Sequence, residues 1–294
     1  MQTSPETTGT IYDIGYRGYD GPRLGRRGAI GAILGAGLRS VFGMGRSARS
    51  KVLPWGAVIL AIIPAGVAVA IKVLAGDIIE LYSYDDYLWQ TGALLPIFVA
   101  AQAPELVVND MRHRVLPLYF SRPISRVDYV AAKLGALTLA LLALTLLPVL
   151  LLFFGRILAA EDVVAAIGDE IGSLPTIVAN GLLHAIVLAS VGLAICAVAG
   201  RRAYAAGAIL ALFLIGSVTS GIFQEQGGAL GGIAPFVHLL AILDGARDWL
   251  LGGSVDGSPV AAAGVAMPLY GLAVLVVVGV SWLVLTLRYR SATT

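Results

Sequence analysis

The chain has 294 residues, of which 58% are hydrophobic and only 13% charged, with a formal net charge of +2. A water-soluble domain carries about 25% charged residues, so an ordinary soluble protein is excluded, as is disorder, which needs low hydrophobicity and high net charge. The single cysteine, Cys196, rules out an intramolecular disulfide and argues against a cysteine-based metal cluster. The composition is that of an integral membrane protein.

The first fifty residues are polar and basic, and no cleavable signal peptide is expected ahead of the first apolar stretch. Within them Ile30, Ile33, Leu34, Leu38, Val41 and Phe42 recur at helical spacing, with Arg26, Arg27 and Arg39 around them. That pattern predicts a basic amphipathic interfacial helix, its arginines near anionic membrane lipid. Residues 1–52 therefore read as a cytoplasmic N-terminal segment and residues 53–290 as the transmembrane domain.

A crossing requires about 20 predominantly apolar residues. The uncharged stretches predict six spans, at about 53–72, 88–108, 134–155, 175–199, 203–223 and 266–287. Residues 226–252, with a glycine-rich opening, Pro235 and His238, read as an extracytoplasmic re-entrant or interfacial segment before the last span. When residues 1–51, 105–133, 201–202 and 288–294 share one side, 17 of the 20 Lys and Arg fall there. The other side keeps Lys72, Arg156 and Arg247, together with 12 of the 18 acids. Both termini are thus expected in the cytoplasm, giving an all-α, six-span, N-in/C-in fold. Trp55, Tyr204 and Tyr289 are expected near the inner boundary, and Tyr82, Tyr84, Tyr87, Trp89 and Tyr270 near the outer one.

The loop between the second and third spans mixes both charges with Pro117, Pro123 and Tyr119. Asp110 and Arg114 are spaced to pair on a helix, and Glu105, Asn109 and Arg112 fall along one stripe. The prolines predict a short helix, a turn and a return to the membrane. The positive-inside rule accounts for the arginines here, but not for acids, prolines and aromatics in so few residues.

Glu105-x4-Asp110-x-Arg112, followed by Ser121-Arg122-Pro123-Ile124-Ser125-Arg126 and Tyr129-x3-Lys133, resembles the corresponding loop of ABC-2-type permeases, the membrane subunits of bacterial type-2 ABC exporters. Tyr16-Arg17-x-Tyr19-x-Gly21-Pro22-Arg23 resembles the N-terminus of bacterial members. The resemblance extends over essentially the whole chain, and the loop is its specific part. It implies a multi-pass protein of the bacterial cytoplasmic membrane, partnered by an ABC ATPase subunit and by a second permease copy or paralogue. Asn109–Phe120 would be a coupling helix seated in the ATPase, with Glu105, Asn109, Asp110, Arg112, Arg114, Tyr119, Arg122 and Arg126 carrying the contact. The N-terminal helix would be the connecting helix, and 226–252 a re-entrant helix pair.

ATP hydrolysis needs a phosphate-cradling lysine followed by Ser or Thr. Lys51, Lys72 and Lys133 are followed by Val, Val and Leu, so ATP and Mg are expected in a partner subunit, with no cofactor on this chain. His113, His184 and His238 do not form a His-Glu-x-x-His zinc motif, and no basic patch with interleaved aromatics points to nucleic acid. Polar residues inside spans mark a possible substrate path at Gln102, Thr138, Asn180, His184, Ser217 and Ser220, although such groups commonly bridge neighbouring helices. Two rivals remain: a signalling or scaffold module without transport, and, more remotely, an intramembrane hydrolase using His184 or His238 with Ser220.

Overall fold

A computed structural model describes residues 21, 25–76, 82–113, 115–121, 123–252 and 258–291. The Tyr16–Arg23 motif apart from Gly21, together with Arg114 and Arg122, lies outside the described residues. Every regular element among them is helical: α1 (Gly25–Val41), α2 (Ala48–Ala75), α3 (Tyr84–Thr91), α4 (Leu94–Arg112), α5 (Leu116–Phe120), α6 (Arg126–Ala159) and α7 (Val163–Glu170). There follow α8 (Leu174–Ala199), α9 (Arg202–Gln226), α10 (Gly228–Val237), α11 (Leu239–Leu251), α12 (Pro259–Ala263) and α13 (Pro268–Ser291).

Among the described residues, five helical segments are long and apolar enough to cross a membrane: Ala48–Leu74, Arg126–Ala159, Val163–Ala199, Arg202–Gln226 and Pro268–Tyr289. The bent pair α10–α11 makes a sixth if it is counted as one span. In the most apolar windows of α2 and α9 only 22% of the residues are buried, against 67% for the segment ending in α8, so apolar side chains such as Ile63 and Leu214 face outward where lipid would meet them. At about 1.5 Å per residue, the 34-residue α6 is longer than the hydrocarbon core, which leaves polar turns at its ends.

The second expected span, 88–108, is not a single helix. It arrives as α3 and α4, interrupted at residues 92–93, and α4 falls short of a span by itself because Glu105, Asp110 and Arg112 occupy its last turns. The helix is nonetheless enclosed. Phe98, Val99, Ala103, Leu106 and Val107 are buried, and Gly192 of α8 brings its backbone against Val99. Small residues at such crossings let helices approach closely without a hydrophobic drive from lipid.

A helix, α1, stands where the N-terminal interfacial helix is expected, and part of its apolar surface packs on protein. Ile33, Gly37 and Val41 are buried, and Gly37 lies so close to Ala136 of α6 that a Cβ would sit 2.8 Å away. The expected Asn109–Phe120 helix is also divided. α4 ends at Arg112, and only the five residues of α5 form the second piece. Tyr87, Tyr270 and Tyr289, expected at the boundaries, are fully enclosed, whereas Trp55 and Tyr204 are exposed.

After α9 the chain turns back at Gly227 (φ +66°), a left-handed position suited to glycine. α10 then runs along α9, with the Val237 carbonyl against Gly216, and His238 in extended backbone separates it from α11 at a bend of 93°. Pro235 weakens the last turn of α10 by lacking an N–H donor. Gly245 and Trp249 of α11 close against Tyr270 and Gly271 at the start of α13, so the pair ends beside the head of the last helix.

Candidate functional site

At one end of the bundle, widely separated segments meet through ion pairs. Glu105 of α4 receives Arg46 Nη1 at 3.0 Å, Arg202 Nη2 at 2.5 Å and Asn109 Nδ2 at 2.9 Å. Asp110 accepts from Lys133 Nζ and from the Tyr129 hydroxyl, each at 2.7 Å. Arg26 of α1 is bidentate on Asp128, both bonds 2.8 Å. Asp128 also closes a capping box with Ser125 at the start of α6, which fixes the carboxylate the arginine meets. The Tyr289 ring lies 5.4 Å from Tyr129, and Arg288 Nε donates to the Ala197 carbonyl at 3.1 Å, so the last turn of α13 joins the same end.

This geometry divides the expected coupling residues. Glu105 and Asp110 tie α4 to distant segments, Asn109 bonds only Glu105 on its own helix among the described residues, and Arg112 and Arg126 are exposed. Tyr119 is half-buried, 5.4 Å from Tyr129, and its hydroxyl pKa is raised by burial and then by the nearby Asp110 carboxylate. In α5, Leu116 is buried and Leu118 is 70% exposed, a residue the sequence reading passed over. Its signal was present, since Leu118 lies in an apolar run, Val115-Leu116-Pro117-Leu118-Tyr119-Phe120, inside an otherwise charged loop. A cleft of about 640 Å³ lies between α1 and α5, lined in part by Ile33, Ala36, Leu118, Tyr119 and Ile124. Of the other two expected arginines of α1, Arg27 and Arg39 are exposed.

The expected path residues are only partly brought together. His184, Ser217 and Ser220 line one cavity of about 390 Å³ with Gln224, His238 and Asp244. His184 Nδ1 lies 3.0 Å from the Asn180 carbonyl, which can only accept, so that nitrogen carries the proton. Asn180 opens instead onto a separate cavity of about 150 Å³ beside Tyr84 and Thr176. Neither cavity is lined by Gln102, which is buried on α4, or by Thr138, half-buried on α6. Ser220 Oγ and Asn180 Oδ1 are buried without a hydrogen-bond partner among the described residues.

The sequence reading missed a buried charged group on α11. Arg247 is 1% exposed and pairs with Asp248 at 2.5 Å, and Asp244 is buried one turn earlier. In the sequence these three count only among the charges outside the expected spans. Their spacing, which puts 244, 247 and 248 on one helical face, was the available signal. At the opposite side of α6, Arg156 donates to the Tyr82 carbonyl and pairs with Glu170 at 3.6 Å, and Tyr84 donates to Glu170 at 2.7 Å.

Among the described residues, no three His, Cys, Asp or Glu side chains gather closely enough to hold a metal ion. By the length and hydropathy of its helices, the chain is a multi-pass membrane protein. No protein-family model and no curated protein matches it.

Proposed function

We propose that the chain is the permease subunit of an ATP-driven ABC-2-type exporter of the bacterial cytoplasmic membrane. A separate ATPase subunit would hydrolyse ATP with Mg, and a second permease copy or paralogue would complete the transport unit. The observation that carries this reading is the ion-pair clasp at Glu105, where arginines preceding α2 and opening α9 meet the loop between the expected second and third spans. Through it, and through the Arg26–Asp128 clamp between α1 and α6, a displacement of the loop reaches several helices at once. In this reading both termini are cytoplasmic, α10–α11 re-enters from the outer face, and α3–α4 forms the second span within the bundle.

The contact with the ATPase is assigned to α5 and the α1–α5 cleft, with Leu118 as its apolar knob and Arg112 and Arg126 at its edge. Asp110 lines the same cleft, and its bonds to Lys133 and Tyr129 would carry a displacement there into α6. The hydrolase alternative draws on the shared cavity of His184, His238 and Ser220. Among the described residues it lacks an activated nucleophile, since no base there accepts the Ser220 proton. A signalling module would share the clasp and differ in moving no substrate across vesicles.

Purification of the tagged chain from its native membranes should bring down an ATPase of the size of one nucleotide-binding domain. Leu118→Asp should abolish that recovery while the chain remains inserted and monodisperse. Recovery unaffected by Leu118→Asp, or no ATPase in native membranes, would overturn the reading.

A further inference from the structure

A cavity of about 830 Å³ gathers four arginines from three helices: Arg112 at the end of α4, Arg201 and Arg202 at the start of α9, and Arg288 in the last turns of α13. Glu105 pairs with Arg202 from outside the cavity, and among the described residues that line it there are four arginines and no acid. The backbone adds to that charge. Arg201 occupies the N-cap of the 25-residue α9 without a side-chain capping bond, and Ala203 of the first turn lines the cavity. The first-turn N–H groups and the positive pole of the helix therefore favour an anion at this place.

Apolar surface begins immediately beside the arginines. Tyr204 is 64% exposed, with the Arg201 guanidinium 5.8 Å over its ring, and Val198 and Leu287 are 65% and 52% exposed. All three belong to helices long and apolar enough to span. An anion attached to hydrocarbon chains satisfies both surfaces, whereas a free anion meets only the first. Basic pockets between spanning helices are the setting in which acidic lipid headgroups are held.

We propose that this four-arginine cavity is a headgroup site for an anionic phospholipid, the phosphate among the guanidinium groups and the acyl chains along the exposed faces of α8, α9 and α13. The proposal depends on the chain being a membrane protein and not on the transport reading. An ATPase could be absent and the lipid site intact, or the reverse.

Native mass spectrometry of the full chain in mild detergent tests it, with phosphatidylglycerol, phosphatidylcholine and inorganic phosphate added separately and in competition. Phosphatidylglycerol should be retained at about tenfold lower concentration than phosphatidylcholine, and Arg201→Gln with Arg288→Gln should remove that preference. Arg201→Lys with Arg288→Lys should keep most of it. Arg201→Gln alone provides the same comparison, at a smaller loss, if the double variant does not fold. Equal retention of the two lipids, an undiminished preference in the Gln variants, or displacement of the lipid by inorganic phosphate would overturn the proposal.

Discussion

Lys133 and Asp110 face each other between α6 and α4, Nζ to Oδ2 at 2.7 Å, with side chains 9% and 16% exposed. The Tyr129 hydroxyl takes a further bond to the same carboxylate oxygen. A carboxylate this enclosed acts as an internal tie between two helices, although its place in a polar loop suggested a surface role. Asp110→Ala leaves the ammonium without its counter-charge and should cost about 3 kcal/mol, read as a lowered melting temperature in detergent. Asp110→Leu combined with Lys133→Met should recover most of that loss. A single variant that melts like the native chain would show the pair to be solvated.

Arg26 and Asp128 set the position of α1 on α6, but the two ends of their bond are not equivalent. Arg26→Ala removes the clamp alone, whereas Asp128→Ala also removes the carboxylate that closes the Ser125 capping box. The aspartate variant should therefore melt lower than the arginine variant. Hydrogen exchange over residues 25–41 should rise in both. Unchanged exchange in Arg26→Ala would mean that α1 is held by its apolar face alone.

Gly216 is where α9 admits the end of α10. A Cβ there would lie 2.7 Å from the Val237 carbonyl oxygen, a backbone atom that cannot rotate away. Gly216→Ala should destabilise the chain by about 1–3 kcal/mol through overpacking. Gly207→Ala on the same helix meets nothing within 4 Å and should be neutral or stabilising. Matching melting temperatures for the two variants would contradict the close approach.

Ser220 presents the opposite case, a buried hydroxyl on the wall of the 390 Å³ cavity with no hydrogen-bond partner among the described residues. Removing it loses no internal bond, so Ser220→Ala should change stability by less than about 1 kcal/mol, or raise it. If the cavity belongs to a substrate path, the same variant should alter flux in reconstituted vesicles. A large loss of stability would assign the hydroxyl to packing.

Much of this organisation is legible along the chain because a bilayer imposes its own length scale. Apolar runs of the required length are conspicuous in a sequence with so few charges, and five of the helices fall where those runs lie. The basic periodicity of residues 30–42 likewise becomes α1. Less visible was what each polar residue would meet. Asn180 and His184, one turn apart, touch through ring and carbonyl yet open onto different cavities, because Leu88 of α3 stands at the border of both.

The sequence by itself determined that the chain is a multi-pass membrane protein, where its long apolar helices lie, and that residues 226–252 do not make an ordinary straight span. Those features follow from composition and local periodicity, which are properties of neighbouring residues. Tertiary structure alone decided that Asp110 meets Lys133, that Glu105 joins Arg46 to Arg202, and that four arginines from three helices surround one cavity. Each of these depends on contacts between residues far apart in the chain. Charge complementarity is non-specific along a sequence, and only the packing of helices selects which partners come within reach.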